Sequence, residues 1–123
     1  MATLLDLRNG LKNSLSGTFS VYNSIPEMIN VPCVVLEAEN PYLEPTYLGK
    51  TTVRFAVNLK AIVVVAMLDN ESAQDNIEKA IIQIYKTVPS NWVVGNTSRP
   101  TPTVVGQGEY LSAEIELQTV FSE

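Results

Sequence analysis

Thr51 to Met67, TTVRFAVNLKAIVVVAM, constrains this chain more than any other stretch. Val53, Phe55, Val57, Leu59, Ala61, Val63, Val65 and Met67 fall on one face at period two, and Thr52, Arg54, Ala56, Asn58 and Lys60 fall on the other. That alternation is the mark of a β-strand with one buried face. From Ala61 onward the second face turns apolar as well, with Ile62, Val64 and Ala66, so the C-terminal half is expected to be covered on both sides. Unbroken, such a strand would run ~55 Å, against ~17 to 20 Å for an ordinary one. A membrane-spanning helix is a poor alternative: Arg54, Asn58 and Lys60 make it costly, β-branched residues abound, and no apolar run reaches the ~20 residues a bilayer requires.

The chain of 123 residues is 46% hydrophobic and 17% charged, which is the size and composition of a single domain over residues 1–123. Its one cysteine, Cys33, excludes an internal disulfide and, at the head of an apolar run, reads as a small buried hydrophobe. The net charge of −5 comes without any basic cluster, so the chain is poorly suited to gripping nucleic acid, though DNA could pass by it. The N-terminal residues show neither a basic region nor an apolar run of signal length, so synthesis and folding in a cytoplasm are expected.

Thr3 to about Leu15 reads as a helix with Thr3 as N-cap, Asp6 in the first turn, Gly17 past the end and an apolar stripe of Leu4, Leu7, Leu11 and Leu15. Thr18 to Tyr22 has strand composition, Asn23 to Pro32 is mostly connection, and Cys33 to Ala38 is a second strand. Asn40 to Lys50, NPYLEPTYLGK, is expected to be irregular because of its two prolines and glycine, yet Tyr42, Leu43, Tyr47 and Leu48 are too apolar for a freely solvated loop. Either these side chains fold back over the sheet edge, or the segment is a projecting arm that meets a partner.

Asp69, Asn70 and Ser72 offer N-cap chemistry for a second helix that runs to Val88 and stops before Pro89. Its stripe is Ala73, Ile77, Ala80, Ile81, Ile84, Tyr85 and Val88, and at about 25 Å it would cover half the long strand, so that the arm projects beyond it. Trp92 to Val94 reads as a short strand, and the loop from Gly95 to Gly108 is expected to pair only briefly, at Thr103 to Val105. Glu109 to Phe121 alternates throughout, with Leu111, Ala113, Ile115, Leu117 and Phe121 inward and Ser112, Glu114, Glu116 and Gln118 outward. If this strand neighbours the long one, Arg54 and Lys60 could meet Glu114 and Glu116 across the ladder.

The chain has no histidine, so the usual nucleophile and base arrangements and the His-rich and Cys-rich zinc sets are excluded. No glycine-rich phosphate loop precedes a helix. Glu37 and Glu39 share a strand face and could bind a divalent ion, but a solvated strand end explains them as well. No catalytic residue, cofactor or metal is expected, and the chain does not read as an enzyme.

The element order is helix, strand, strand, proline-rich arm, long strand, helix, short strand, loop, strand. With NVPCVVLEAENPYLEP, AIVVVAMLDNESAQDNIEKAIIQIYKTV and GQGEYLSAEIELQTV in those places, the chain resembles the small tail terminator and tail completion proteins of long-tailed bacteriophages. The resemblance implies an α+β subunit with a mixed or mainly antiparallel sheet and two helices. It also implies six copies closing a ring at the head-proximal end of the tail tube, contacts with the tail tube protein and with a head-completion protein, and DNA only as passing cargo. On that reading the protein resides in the virion neck, after synthesis in the host cytoplasm, and contacts no membrane. The candidate interface residues are then Tyr42, Leu43, Tyr47, Leu48, Arg54, Lys60, Glu114 and Glu116. Another neck or connector protein, or a small α/β binding module, would share many of these features; an RNA-binding module would need a basic or aromatic sheet face, which the acidic residues of Glu109 to Phe121 do not provide.

Overall fold

The alternating segments form one six-stranded mixed sheet, and both helices pack on the same face of it. The computed structural model describes residues 3–17, 19–22, 31–49, 51–67, 70–105 and 108–122. In chain order the elements are α1 (Leu4–Leu15), β1 (Ser20–Tyr22), β2 (Cys33–Leu48), β3 (Val53–Ala66), α2 (Asn70–Thr87), β4 (Val93–Thr97), β5 (Thr101–Val105) and β6 (Gly108–Ser122). Thr18, most of the Asn23 to Pro32 connection, Lys50 and the N-cap candidate Asp69 lie outside the described residues.

The long strand is the centre of the sheet. The strand order is β1-β2-β3-β6-β4, with β5 pairing the other end of β6, and every pairing is antiparallel except β1 with β2. The β3–β6 ladder runs without a break from Arg54 opposite Ser122 to Ala66 opposite Tyr110. Its odd-numbered side chains make the core: Val57, Leu59, Ala61, Val63 and Val65 from β3 meet Leu111, Ala113, Ile115, Leu117 and Phe121 from β6, all buried.

Thr3 caps α1 with a reciprocal pair of bonds: its hydroxyl accepts the Asp6 N–H at 3.1 Å, and the Asp6 carboxylate accepts the Thr3 N–H at 3.0 Å. This capping box satisfies two of the donors a helix start leaves open. Leu11 and Leu15 are fully buried, while Leu4 and Leu7 are half-buried against the core. In α2 the stripe narrows to Ala73, Ile77, Ala80 and Ile84, with Ile81 and Val88 at its border. Tyr85, expected on the stripe, is 44% exposed, and its hydroxyl bonds the Thr97 hydroxyl of β4. Its amphipathic ring suits such a border, with one edge apolar and the phenol wet. No helix among the described residues is long and apolar enough to cross a membrane.

The two helices share the length of the sheet. Ala80 and Lys79 of α2 lie near Val65 and Ala66, whereas Leu7 and Leu11 of α1 lie beside Trp92 and Phe121, at the opposite end of β3. The long strand does reach past α2, as expected, and the sheet there is met by α1 at Phe121, whose ring sits 5.5 Å from that of Phe55. Only the arm lies farther out.

Val63 is fully buried at the middle of this core. Val63→Asp, or Val65→Asp, puts an unpaired carboxylate there at a cost of several kcal/mol, comparable with the ~5 to 15 kcal/mol that holds a whole domain folded. Neither variant should give soluble protein with a cooperative thermal transition. Recovery of both in folded form would contradict the core as described.

Candidate functional site on the arm and the helix-free face

Of the segment Asn40 to Lys50, expected to be irregular, Asn40 to Leu48 is strand interrupted by two register irregularities, and Lys50 lies outside the described residues. Strand β2 continues through it to Leu48, which stands opposite Val53, and the hairpin closes with the Gly49 N–H donating to the Thr52 carbonyl at 2.9 Å. The prolines are tolerated because of where they fall. Beyond Val35, where β1 ends, β2 is an edge strand among the described residues, and a missing N–H there removes no obligatory ladder bond. Pro41 lies inside a large bulge, and Pro45 lies at a second irregularity before Tyr47. A Cβ at Gly49 would lie 3.0 Å from the Tyr47 ring, so a side chain there would require that exposed ring to shift by a few tenths of an ångström.

Asn58 holds the larger bulge. Ala38 pairs with Leu59 and Leu43 with Val57, so this single residue of β3 faces Glu39, Asn40, Pro41 and Tyr42 of β2. Its Nδ2 donates to the Pro41 carbonyl at 3.0 Å and to the Glu44 carboxylate at 2.6 Å, while its Oδ1 accepts from Gln118 Nε2 at 2.8 Å. The side chain is 9% exposed. A buried amide with all these partners is stabilising, and one stripped of them is not. Sequence pattern placed Asn58 merely on a polar face, because its partners are distant in the chain and meet it only once register is set.

The candidate interface residues separate into groups. Tyr42 is half-buried and packs on the core, whereas Leu43, Tyr47 and Leu48 are 37%, 58% and 71% exposed. Lys60 lies between two carboxylates, 3.6 Å from Glu114 and 3.8 Å from Glu37. Of the four charges expected to meet across the ladder, only Lys60 and Glu114 do so. Glu116 stands opposite Lys60 in the register but turns to β4, where it accepts the Asn96 N–H at 3.4 Å, and Arg54 donates to the Ser122 hydroxyl at 3.2 Å. Partly exposed pairs of this kind contribute up to ~1 kcal/mol each. Glu37 is thus a partner of Lys60, and among the described residues no group of three or more His, Cys, Asp or Glu could hold a metal ion.

The expected cover on the second face of β3 is met in part: Val64 is buried, while Ile62 and Ala66 are half-buried, and neither helix lies on that face. Val35 and Val64 are buried and Ile62 is half-buried at the base of an open cleft of about 470 Å³, with Thr101 and Thr103 of β5 on its wall. That wall is tied to β6 through Ser98, whose N–H donates to the Glu114 carbonyl at 2.7 Å and whose hydroxyl accepts the Glu114 N–H at 2.9 Å. Regular pairing in β4 and β5 extends through much of the segment Gly95 to Gly108, where the sequence leads one to expect a loop. Alternation in β3 signals an apolar second face, but only the path of β5 makes it a cleft rather than a second core. Cys33 is fully buried, and burial pushes its thiol up to about 11, so it stays protonated and unreactive at neutral pH.

No protein-family model matches the chain, and no curated protein matches it. The functional reading therefore rests on the geometry of the arm and the face. If Asn58 pins the arm, Asn58→Ala should lower the unfolding free energy by ~1 to 3 kcal/mol, because the bulge loses its bridging amide. Arg54→Ala, at an exposed position, should cost under ~0.5 kcal/mol. Urea denaturation of the two variants side by side measures this; equal effects would remove Asn58 from its central place.

Proposed function

We propose that the chain is the subunit of a ring of six identical copies that closes the head-proximal end of a long phage tail tube and joins it to the head-completion proteins. Its role is structural rather than catalytic, exercised in the virion neck after synthesis in the host cytoplasm, and DNA passes through the ring without being held. The observation that carries this reading is the β2–β3 arm, which extends beyond the helices and leaves Leu43, Tyr47 and Leu48 in solvent. Exposed apolar groups clustered on one projection mark an interaction surface. The element order and the three segments quoted above supply the likeness to tail terminators.

The charge distribution supports the passive role towards DNA. On the helix-free face Lys60 is set among Glu37, Glu114 and Glu116, and the chain as a whole carries a net charge of −5. A surface of that sign does not neutralise phosphates, and it keeps a passing polyanion from sticking.

Native mass spectrometry of the purified protein tests the ring. A hexamer is expected, and a monomer or dimer persisting at tens of micromolar would overturn the reading. Gel retardation of a random duplex at physiological salt should show no binding; a shift at micromolar protein would overturn the passive role.

A further inference from the structure

We infer that Pro45 guards the free edge of the arm: it keeps β2 of one copy from adding as a strand to β2 of another, so that the arm meets partners through side chains and not through its backbone. The inference stands apart from the ring proposal, since it holds whatever the arm contacts. Beyond Val35 no described strand pairs the outer edge of β2. The stretch from Tyr22, beside Val35, to Val31 spans at most ~32 Å, and ~13 Å of that brings it back along β2, so it reaches no farther than about Ala38. Leu43 to Leu48 therefore form an open edge that carries exposed apolar side chains, the kind on which a further strand can add.

The backbone of Pro45 faces that edge. Glu114, opposite Ile62, bonds Ser98 on the outer side of β6 through both its N–H and its carbonyl, so this pair does not bond across the ladder and the backbone groups of Ile62 turn towards β2. Direction alternates residue by residue along the unbroken β3–β6 ladder, so Phe55 and Val57 turn towards β6. Pro45 and Leu43 stand opposite these two residues and hence turn outward. The Thr46 hydroxyl agrees with that assignment, since it donates at 3.2 Å to the Arg54 carbonyl, which must point to β2.

A second copy of β2 laid antiparallel on this edge, about a two-fold axis at Glu44, pairs Leu43 of each copy with residue 45 of the other. Such a pair exchanges two hydrogen bonds, but proline has no N–H to give, so each pair loses one bond and the Leu43 carbonyl is left without its donor. Centred on residue 45 itself, the pairing loses both bonds. The axis at Glu44 also sets that carboxylate against its own copy, and like charges directly opposite are destabilising. Within its own subunit Pro45 forfeits nothing, because it is exposed and its partner Phe55 bonds to β6 instead.

The test uses Pro45→Ala and Pro45→Thr in the full chain. Both restore the outward N–H, and alanine does so with less apolar surface than proline, so added stickiness cannot account for a gain in association. Circular dichroism and thermal melting should show both variants folded. By analytical ultracentrifugation, at a concentration where the wild-type chain gives one species, each variant should give a species of at least double that mass, with threonine, the better strand former, associating more strongly than alanine. Folded variants that keep the wild-type mass, or fall below it, would overturn the inference. Loss of folding in both would show that Pro45 serves the subunit's own structure and would overturn it as well. A wild-type chain that is monomeric contradicts the ring reading but leaves this comparison intact, so the two fail separately.

Discussion

The antiparallel ladder between β3 and β6 is the constraint on which everything else in this molecule depends. From Arg54 opposite Ser122 to Ala66 opposite Tyr110 it runs ~40 Å without a bulge, whereas the 18 residues of α2 span only ~27 Å. One helix cannot cover such a ladder, so α1 and α2 divide it between them. With both helices spent on one face, the other is left to the short strands at the edges. The cleft and the arm both follow from that shortage of cover.

Much of this was legible in the chain. Alternation from Thr51 to Lys60, the apolar run that continues it to Met67, and alternation over Glu109 to Phe121 mark the two long strands and their inward faces, and the Thr3 and Asp6 positions mark the helix start. The arm is strand although Pro41, Pro45 and Gly49 are breakers by sequence. Their effect depends on whether a neighbouring strand needs their backbone N–H, and a linear pattern does not say which strand lies at an edge. Likewise the apolar character of Ile62 and Val64 was visible, but not that both helices would choose the opposite face.

Register explains the remaining differences. Asn58 and Gln118 are ordinary polar residues in their own strands, and only the pairing that sets them side by side, with the Pro41 carbonyl and the Glu44 carboxylate across the bulge, makes Asn58 a buried junction. The expected charge pairs failed for Arg54 and Glu116 because each found a nearer partner, Ser122 and Asn96 respectively. Lys60 was correctly matched to Glu114, but the contribution of Glu37 from the other side required knowing that β2 and β6 flank β3. Side-chain chemistry was readable one strand at a time, and the site is made by three.

The proposed ring requires copies of this chain to meet through the arm that the helices leave bare. Hydrogen–deuterium exchange, comparing dilute subunit with assembled protein, tests it most directly. Backbone amides of the arm, 43–48, should gain protection on assembly, while those of α1 and α2 should not change. New protection confined to the helices, with the arm exchanging as before, would contradict the account.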